Sequence, residues 1–458
     1  MYDTSLGKYY DILSIIPAVF WLIIVIAIGY VIRSKHQDKP HYKYFMKNLF
    51  AKLFFSFGFA LVYLVMYGGG DTTAYYDGAV VLNNLFFKDP GAYFHVMAND
   101  FDMSHYSIYY DLSTGYPPGW IFREEQGYFV TKLMSIISFF TLKSYFAMTF
   151  IMALFTSIAS WKLFELARSY KLNNERLLAF GVLLLPSVNF WCAGVSKDTV
   201  VFIASLVLVY NAFHIISEDK KANLKNYIYT IIAAFIIYQI RSFILAAIAL
   251  PMLFALSARM VKTLGGSDFM VSAFRTFVLI VGLGVGGRTL VLMGEGEFLE
   301  QNAFLAEAAV IQQDFRQNET YGDKKYNIGD VEFSPVGLIR AAPFAALAGL
   351  YRPYIWEVRS PTLLMNGLES VLFLYFTFLL FRSKFLQKWR KIRGHEFLVF
   401  CLIFTLVIAF MTGLTSGLYG VLVRLRAPLL PFLFILLTVD FSYLKIQKGQ
   451  DARNESDE

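Results

Sequence analysis

The chain has 458 residues, of which 57% are hydrophobic, 18% aromatic and only 16% charged. So much apolar surface cannot be buried in a soluble core, and repeated apolar runs of about 20 residues are typical of membrane-spanning helices. The formal net charge of +7 comes from basic residues in the loops between these runs, which argues against a nucleic-acid partner. We therefore predict an all-α polytopic membrane protein.

The apolar runs predict about 11 transmembrane helices. They cover residues 12–32, 49–67, 144–166, 177–194, 197–216, 224–241, 243–259, 270–290, 361–381, 396–416 and 424–445. The first run is too long for the core of a signal peptide, so we interpret it as an uncleaved span. Cys192 and Cys401 lie in or beside apolar segments, and no disulfide framework is predicted.

The basic residues predict which side of the membrane each loop occupies. The loop after the first span, with the start of the second span, contains Arg33, Lys35, Lys39, Lys43, Lys47 and Lys52. With the predicted spans, this cluster and the later basic clusters all fall on one side, which the positive-inside rule assigns to the cytoplasm. The amino terminus is then outside, and the polar tail 451–458 is inside.

Two further apolar stretches, 127–142 and 336–356, contain charged residues or prolines. Counting either one as a span would place basic clusters outside, so we interpret both as interfacial or re-entrant helices on the outer face. The alternative is that they are ordinary spans. The predicted organisation is a two-span segment 1–67, a first outer loop 68–143, a central six-span bundle 144–290, a second outer loop 291–360, and a three-span segment with a cytoplasmic tail 361–458.

Charged residues that are not simple helix ends gather on the predicted outer side. Asp71 directly follows three glycines at residues 68–70, and a carboxylate at the mouth of a membrane helix is costly unless function holds it there. The others are Asp77, Lys197, Asp198, Arg241, Arg352, Arg424 and Arg426. Fixed cations hold phosphate oxygens and a carboxylate takes a proton from an attacking hydroxyl, so this set suits a lipid-linked phosphate substrate.

Each of these residues also has a structural interpretation. An arginine near a span end extends to the lipid headgroups, Lys197 and Asp198 form a salt-bridged helix start, and Asp71 caps a helix. Glu369, inside a span, is predicted to pair with an arginine or to line a cavity. No metal site is required by the sequence, although Asp71 with Asp77 offers oxygen ligands for Mg²⁺ or Mn²⁺.

Several short motifs resemble the GT-C superfamily of integral membrane glycosyltransferases, which use polyprenyl-phosphate-linked sugars. The motifs are Gly70-Asp71-x-x-x-Tyr75-Tyr76, Pro186-Ser187-x-x-Phe190-Trp191, Ser196-Lys197-Asp198, Arg352-Pro353-Tyr354-x-Trp356-Glu357 and Gly420-x-x-x-Arg424-x-Arg426-x-Pro428. The resemblance implies a GT-C-like fold with Asp71 as the catalytic base. It also implies a substrate-binding set of Tyr75, Tyr76, Asp77, Lys197, Asp198, Arg241, Arg352, Arg424 and Arg426, whose cations neutralise the lipid phosphate.

The resemblance implies transfer of a sugar from a polyprenyl-phosphate or pyrophosphate carrier to a hydroxyl of a glycan, lipid or protein acceptor. It places the protein in a bacterial inner membrane among membrane lipids, with its site facing the periplasm, in cell-envelope glycan synthesis. Two departures stand out. The family usually has its acidic loop after the first span, whereas here it follows the second, and no large soluble carboxy-terminal domain follows the last span.

Two alternatives remain open at this point. A polysaccharide polymerase or an O-antigen-ligase-like enzyme shares the outer cationic pocket and the lipid-pyrophosphate substrates, but it relies on arginines more than on a loop-opening acid. A flippase or transporter of lipid-linked sugars makes no bond, and transporters commonly contain internal repeats and broken helices near the midplane. The chain shows no internal repeat.

Overall fold

In a computed structural model of the protein, the described residues are 4–99, 102–119, 124–216, 223–267, 269–278, 325–326, 335–382 and 384–441. Over these ranges the chain forms α-helices with short 3₁₀ and π-helical turns and no β-strand, which confirms the all-α class. Most of the predicted second outer loop, the second half of the predicted span 270–290 and the polar tail lie outside the described residues.

The α-helices are numbered here in chain order. They are α1 (Ile12–Ser34), α2 (Lys43–Leu61), α3 (Asp71–Lys88), α4 (Pro90–Ala98), α5 (Tyr106–Tyr109), α6 (Glu125–Phe140), α7 (Tyr145–Ser169), α8 (Glu175–Ala179), α9 (Pro186–Trp191), α10 (Lys197–Ile215), α11 (Leu224–Thr263), α12 (Phe269–Val278), α13 (Pro335–Tyr351), α14 (Pro361–Arg382), α15 (Phe385–Arg393), α16 (Glu396–Thr415), α17 (Tyr419–Arg426) and α18 (Leu430–Leu437).

Eight helical segments of the described residues are long and apolar enough to cross a membrane. They are Gly7–Ser34, Pro40–Met66, Tyr145–Ser169, Lys197–Ile215, Leu224–Ser257, Pro361–Arg382, Glu396–Thr415 and Tyr419–Leu437. These segments support an integral membrane protein. The predicted number of about 11 spans is not confirmed.

Three differences between the predicted spans and the observed helices account for the lower number. The predicted span 177–194 is divided, because Leu185 precedes Pro186 and adopts an extended backbone with ψ 119°, as residues before proline usually do. The predicted spans 224–241 and 243–259 are parts of α11, which is interrupted at Arg241 by a non-helical backbone (φ −151°, ψ 77°). Of the predicted span 270–290, the structure describes only the start, within α12.

The chain divides into two compact units. The first comprises Met1–Leu163, Val188–Leu208 and Tyr229–Ser242, and the second comprises Phe164–Ser187, Val209–Ile228 and Phe243–Glu458. The predicted first outer loop belongs to the first unit and is largely helical. Within it, α3 packs on α6: Asn83 Nδ2 donates a hydrogen bond to Ser138 Oγ at 3.0 Å, and a Cβ added to Gly78 would lie 2.7 Å from Thr131 Cγ2.

In the second unit, α13 packs along α16 with almost no space between the two backbones. A Cβ added to Gly349 would lie 2.0 Å from the Ala409 carbonyl oxygen, and one added to Gly413 would lie 1.9 Å from the Ala345 carbonyl oxygen. The paired positions advance in opposite directions, so the helices are antiparallel. With 17 residues, α13 is about 25 Å long. Its antiparallel packing along the candidate span α16 argues against a helix that lies flat on the surface.

Lys52 is buried inside the first unit and does not belong to the predicted basic loop cluster. Its side chain is 0% exposed, and its Nζ atom lies 5.6 Å from the centroid of the Phe202 ring. Among the described residues the Nζ atom has no hydrogen-bond partner. Lys52 lies near the middle of the candidate span Pro40–Met66. Lys52 therefore gives no information about which side of the membrane this loop occupies. The local sequence does not distinguish it from its exposed neighbours.

Replacement of Lys52 by methionine is expected to leave the free energy of unfolding unchanged or to raise it by about 1–3 kcal/mol. Methionine has a similar length and removes a buried amine that lacks a hydrogen-bond partner in the described part of the chain. Thermal unfolding of the purified protein in detergent measures the change, with the exposed Lys47 replaced by methionine as the matched control. A marked loss of stability only in Lys52→Met would contradict this prediction.

Candidate functional site

A polar groove of about 510 Å³ lies at the start of α3 in the first unit. Its walls include Lys8, Tyr9, the three glycines at residues 68–70, Asp71, Asp77 and Pro118. The glycines have φ values of +67°, +118° and +138°, a region that residues with a Cβ rarely adopt. They reverse the chain between the second candidate span and α3, so the groove lies next to the end of that span.

Asp71 is the first residue of α3 and is half-buried in the wall of the groove. The preceding residue, Gly70, donates its backbone N–H to Thr73 Oγ1 at 3.0 Å, and Thr73 Oγ1 donates to the Gly70 carbonyl at 2.9 Å. The positive end of the helix dipole favours a negative charge at this position. The interpretation of Asp71 as the helix cap is therefore wrong, because Gly70 occupies the N-cap position and Asp71 is the first helical residue. The Asp71 carboxylate belongs to a residue that lines the groove.

Asp77 is held by the amino-terminal segment of the chain. Lys8 Nζ donates to Asp77 Oδ1 at 2.8 Å, and the Tyr9 hydroxyl lies 3.1 and 3.0 Å from the two carboxylate oxygens. Sequence analysis did not identify Lys8 or Tyr9. The only cue in the sequence is that Lys8 is the single cation before the first span.

Tyr75 and Tyr76, predicted to line the pocket, are mainly packing residues. The Tyr76 hydroxyl donates to the Lys143 carbonyl at 2.6 Å, and its ring centroid lies 5.5 Å from that of Tyr9 and 5.4 Å from that of Tyr145. Burial, with a further contribution from Asp77, raises the pKa of Tyr76 well above its usual range. Its phenol therefore stays neutral at physiological pH.

The motif Ser196-Lys197-Asp198 forms the start of α10, and both of its charged residues are paired. Lys197 Nζ donates to Glu124 Oε1 in a short ion pair. Arg241 Nη2 lies 2.6 Å from Asp198 Oδ1, with side chains that are only 11% and 5% exposed. The ion pair of Arg241 is therefore made at the residue whose non-helical backbone interrupts α11. Glu124 is a further member of the cluster that sequence analysis did not select.

Tyr75 connects the groove to this cluster. It lies one helical turn after Asp71 on α3, and residues at this spacing share a helix face. A Cβ added to Gly127 would lie 3.5 Å from Tyr75 Cε1 and 3.4 Å from Glu124 Oε2. The Glu124 carboxylate and the Tyr75 ring therefore both lie beside Gly127, and Glu124 forms an ion pair with Lys197. The structure thus brings Asp71, Tyr75 and Lys197 into one region of the first unit.

In the second unit, the predicted cation Arg352 lies beside several aromatic rings. Its Nε atom lies 3.3 Å from Glu357 Oε1, and its guanidinium lies 5.3 Å from the ring centroid of Tyr326 and 5.9 Å from that of Tyr354. The Tyr354 ring stacks on Trp356 at 4.9 Å, and Trp356 is 71% exposed. This arrangement places a paired cation beside an open aromatic surface.

Arg426 is fully buried and engaged with the protein itself. It donates to the Arg352 carbonyl oxygen through a short hydrogen bond, to the Asn366 carbonyl oxygen at 3.4 Å and to Ser370 Oγ at 3.2 Å. This geometry ties three chain segments together. Arg424, two residues earlier, is only half-buried.

Glu369 is buried within the same unit. Its Oε1 atom accepts the Ser187 backbone N–H at 2.8 Å, and its Oε2 atom accepts the Ser187 hydroxyl in a short hydrogen bond. The carboxylate also interacts electrostatically with Arg426. The sequence predicted that Glu369 pairs with an arginine or lines a cavity; in the structure its hydrogen-bond partner is Ser187, and Arg426 interacts with it only at longer range.

The predicted site residues are thus distributed over the two units. Asp71, Tyr75, Tyr76, Asp77, Lys197, Asp198 and Arg241 lie in the first unit, and Arg352, Arg424 and Arg426 lie in the second. In the described ranges, no three or more His, Cys, Asp or Glu side chains are grouped in a way that could hold a metal ion. Comparison of the chain with protein-family models, with curated proteins and with solved structures found no match.

Proposed function

We propose that this protein is a membrane glycosyltransferase that uses a polyprenyl-phosphate-linked sugar, with Asp71 as its general base. The observation that supports this most is the position of Asp71 in the wall of a groove of about 510 Å³, beside the end of a candidate span. A lipid-linked donor has its sugar at that depth while its hydrocarbon chain remains in the bilayer. The GT-C-like motif that begins at Gly70 supports the same assignment.

In the proposed reaction, Asp71 accepts the proton of an acceptor hydroxyl. The acceptor oxygen then forms a bond to the anomeric carbon of the sugar, and the bond from that carbon to the phosphate oxygen breaks. The electron pair of the broken bond stays on the departing polyprenyl phosphate. A cation of the predicted substrate-binding set stabilises the negative charge that develops there. The acceptor is a glycan, lipid or protein hydroxyl on the extracytoplasmic face of a bacterial inner membrane.

The contacts of the cations refine their proposed roles. Lys197 and Arg241 are each paired with a carboxylate, so phosphate binding by either requires an exchange of partner. Arg426 has no exposed surface, and we reassign it from substrate binding to positioning, because its guanidinium donates to the Arg352 backbone. Asp77 likewise becomes a positioning residue, since Lys8 and Tyr9 contact both of its oxygens.

A second candidate function is a polysaccharide polymerase or ligase centred on Arg352. The exposed ring of Trp356 stacked on Tyr354 supports it, because an open aromatic surface beside a guanidinium suits a sugar next to a phosphate. In this reaction Arg352 exchanges its partner Glu357 for the lipid pyrophosphate, and Asp71 has no chemical role. The two candidates therefore differ in which substitution stops the release of the lipid carrier.

Membranes that contain the wild-type protein are expected to release polyprenyl phosphate from a labelled pool of lipid-linked sugars, and Asp71→Asn is expected to slow this release at least about 100-fold. The matched control is Asp89→Asn, which lies in the same outer segment. There Asp89 Oδ1 accepts the Ala92 N–H at the start of α4, a role that asparagine also fills.

Equal release by wild type and Asp71→Asn, combined with loss of release in Arg352→Gln, would reject Asp71 as the base and support the polymerase or ligase. No release by any of these proteins, across several donors, would reject bond formation and favour a transporter of lipid-linked sugars. Chromatography of each variant in detergent shows whether it is folded.

A further inference from the structure

We propose that the pocket between the ends of the first two candidate spans binds the phosphate headgroup of an anionic phospholipid. The pocket has a volume of about 450 Å³. Its lining combines cations with aromatic rings: Tyr30, Arg33, His36, Lys39, Tyr42 and Lys43. It belongs to the first unit and does not include any residue of the proposed catalytic groove.

The position of the pocket places it at the surface of the membrane. One candidate span ends at Ser34 and the next begins at Pro40, so the connecting residues 35–39 turn where the hydrocarbon region meets water, whichever way the protein is oriented. The adjoining helix α1 has an exposed apolar face, in which Phe20 is 59% and Ile23 62% exposed. A phospholipid whose chains lie along this face has its phosphate at the level of the pocket.

The charge of the pocket is not neutralised by the protein. Arg33, Lys39 and Lys43 are exposed, and none of them forms an ion pair with an acidic side chain of the described residues. Asp38 lies in the same turn but is not paired with any of them. The three cations therefore leave the turn with a net positive charge, and cations at a membrane surface attract anionic lipids.

Aromatic contacts give this turn a defined shape. The His36 and Tyr42 rings stack at 4.3 Å with an angle of 9° between their planes, and Lys39 Nζ lies 5.8 Å from the centroid of the Tyr42 ring. A basic loop whose only role is to set the orientation of the spans does not require a pocket of defined shape. Here one arginine and two lysines line the same cavity, and guanidinium and ammonium groups are the donors that bind phosphate oxygens.

The test is lipid binding by the full-length protein, purified in a neutral detergent and measured by native mass spectrometry. Phosphatidylglycerol is expected to bind, while phosphatidylcholine with the same acyl chains and inorganic phosphate bind at least about tenfold more weakly. The triple variant Arg33→Gln, Lys39→Gln, Lys43→Gln is expected to lose at least about tenfold in affinity for phosphatidylglycerol. A second variant, Lys39→Arg with Lys43→Arg, keeps the charges and is expected to keep the binding.

The matched control removes the same charge elsewhere: Arg382→Gln, Lys384→Gln, Arg390→Gln, near the end of another candidate span. An equal loss of affinity in this control would overturn the pocket, because it would show a general effect of surface charge. Unchanged binding by the pocket variant would also overturn it. Inorganic phosphate binding as tightly as phosphatidylglycerol would assign the pocket to a soluble anion and reject the lipid.

Discussion

Substitution of Arg426 by methionine is expected to lower the free energy of unfolding by about 3–5 kcal/mol. Arg426 is 0% exposed and donates to acceptors from the segment at Arg352 and from α14, including Ser370 Oγ. Methionine leaves these buried acceptors without their donor and leaves the Glu369 carboxylate without the nearby cation. Unfolding of the purified protein in a denaturing detergent, followed by circular dichroism, measures the change.

The matched control for this substitution is Arg424→Met on the same helix. Arg424 is half-buried, and a partly exposed arginine is expected to contribute less than about 1 kcal/mol. Combining Arg426→Met with Glu369→Gln is expected to recover part of the loss, because the buried carboxylate is then neutral. If Arg426→Met and Arg424→Met lower the free energy of unfolding equally, the hydrogen bonds of Arg426 do not make a special contribution to the stability of this unit.

Replacement of Gly413 by alanine is expected to disrupt the packing of α13 on α16 and to lower the free energy of unfolding by at least about 1–3 kcal/mol. The new Cβ would lie 1.9 Å from the Ala345 carbonyl oxygen, and a backbone atom cannot rotate away as a side chain can. Gly349 meets the Ala409 carbonyl in the same way, so both glycines permit one close antiparallel contact.

Gly58→Ala is the matched control, and it is expected to change the free energy of unfolding in the opposite direction. Gly58 lies inside α2 with no atom within 4 Å of an added Cβ, so alanine is expected to stabilise the protein by up to about 1 kcal/mol. Both variants are measured by the same detergent unfolding. If Gly413→Ala is as stable as wild type, the close approach of α13 and α16 is wrong.

The candidate site was only partly accessible to sequence reasoning. Asp71 could be selected because a carboxylate after three glycines at the end of an apolar run is unusual in local sequence. Lys8 and Tyr9 could not be selected, because they lie 69 and 68 positions away from Asp77 in the chain and no neighbouring residue indicates that contact. Glu124 was missed for the same reason, since its partner Lys197 lies 73 positions away.

The sequence by itself determined the all-α membrane class and most of the candidate spans, and it led to Asp71 as a candidate, because hydropathy and glycine patterns act over a few neighbouring residues. Tertiary structure alone decided which charged residues are buried. An arginine that extends to the headgroups and one that is enclosed by the protein have the same local sequence, and only packing makes Arg426 fully buried while Arg424 stays half-exposed. The same holds for Lys52, whose surroundings come from helices that are distant in the chain.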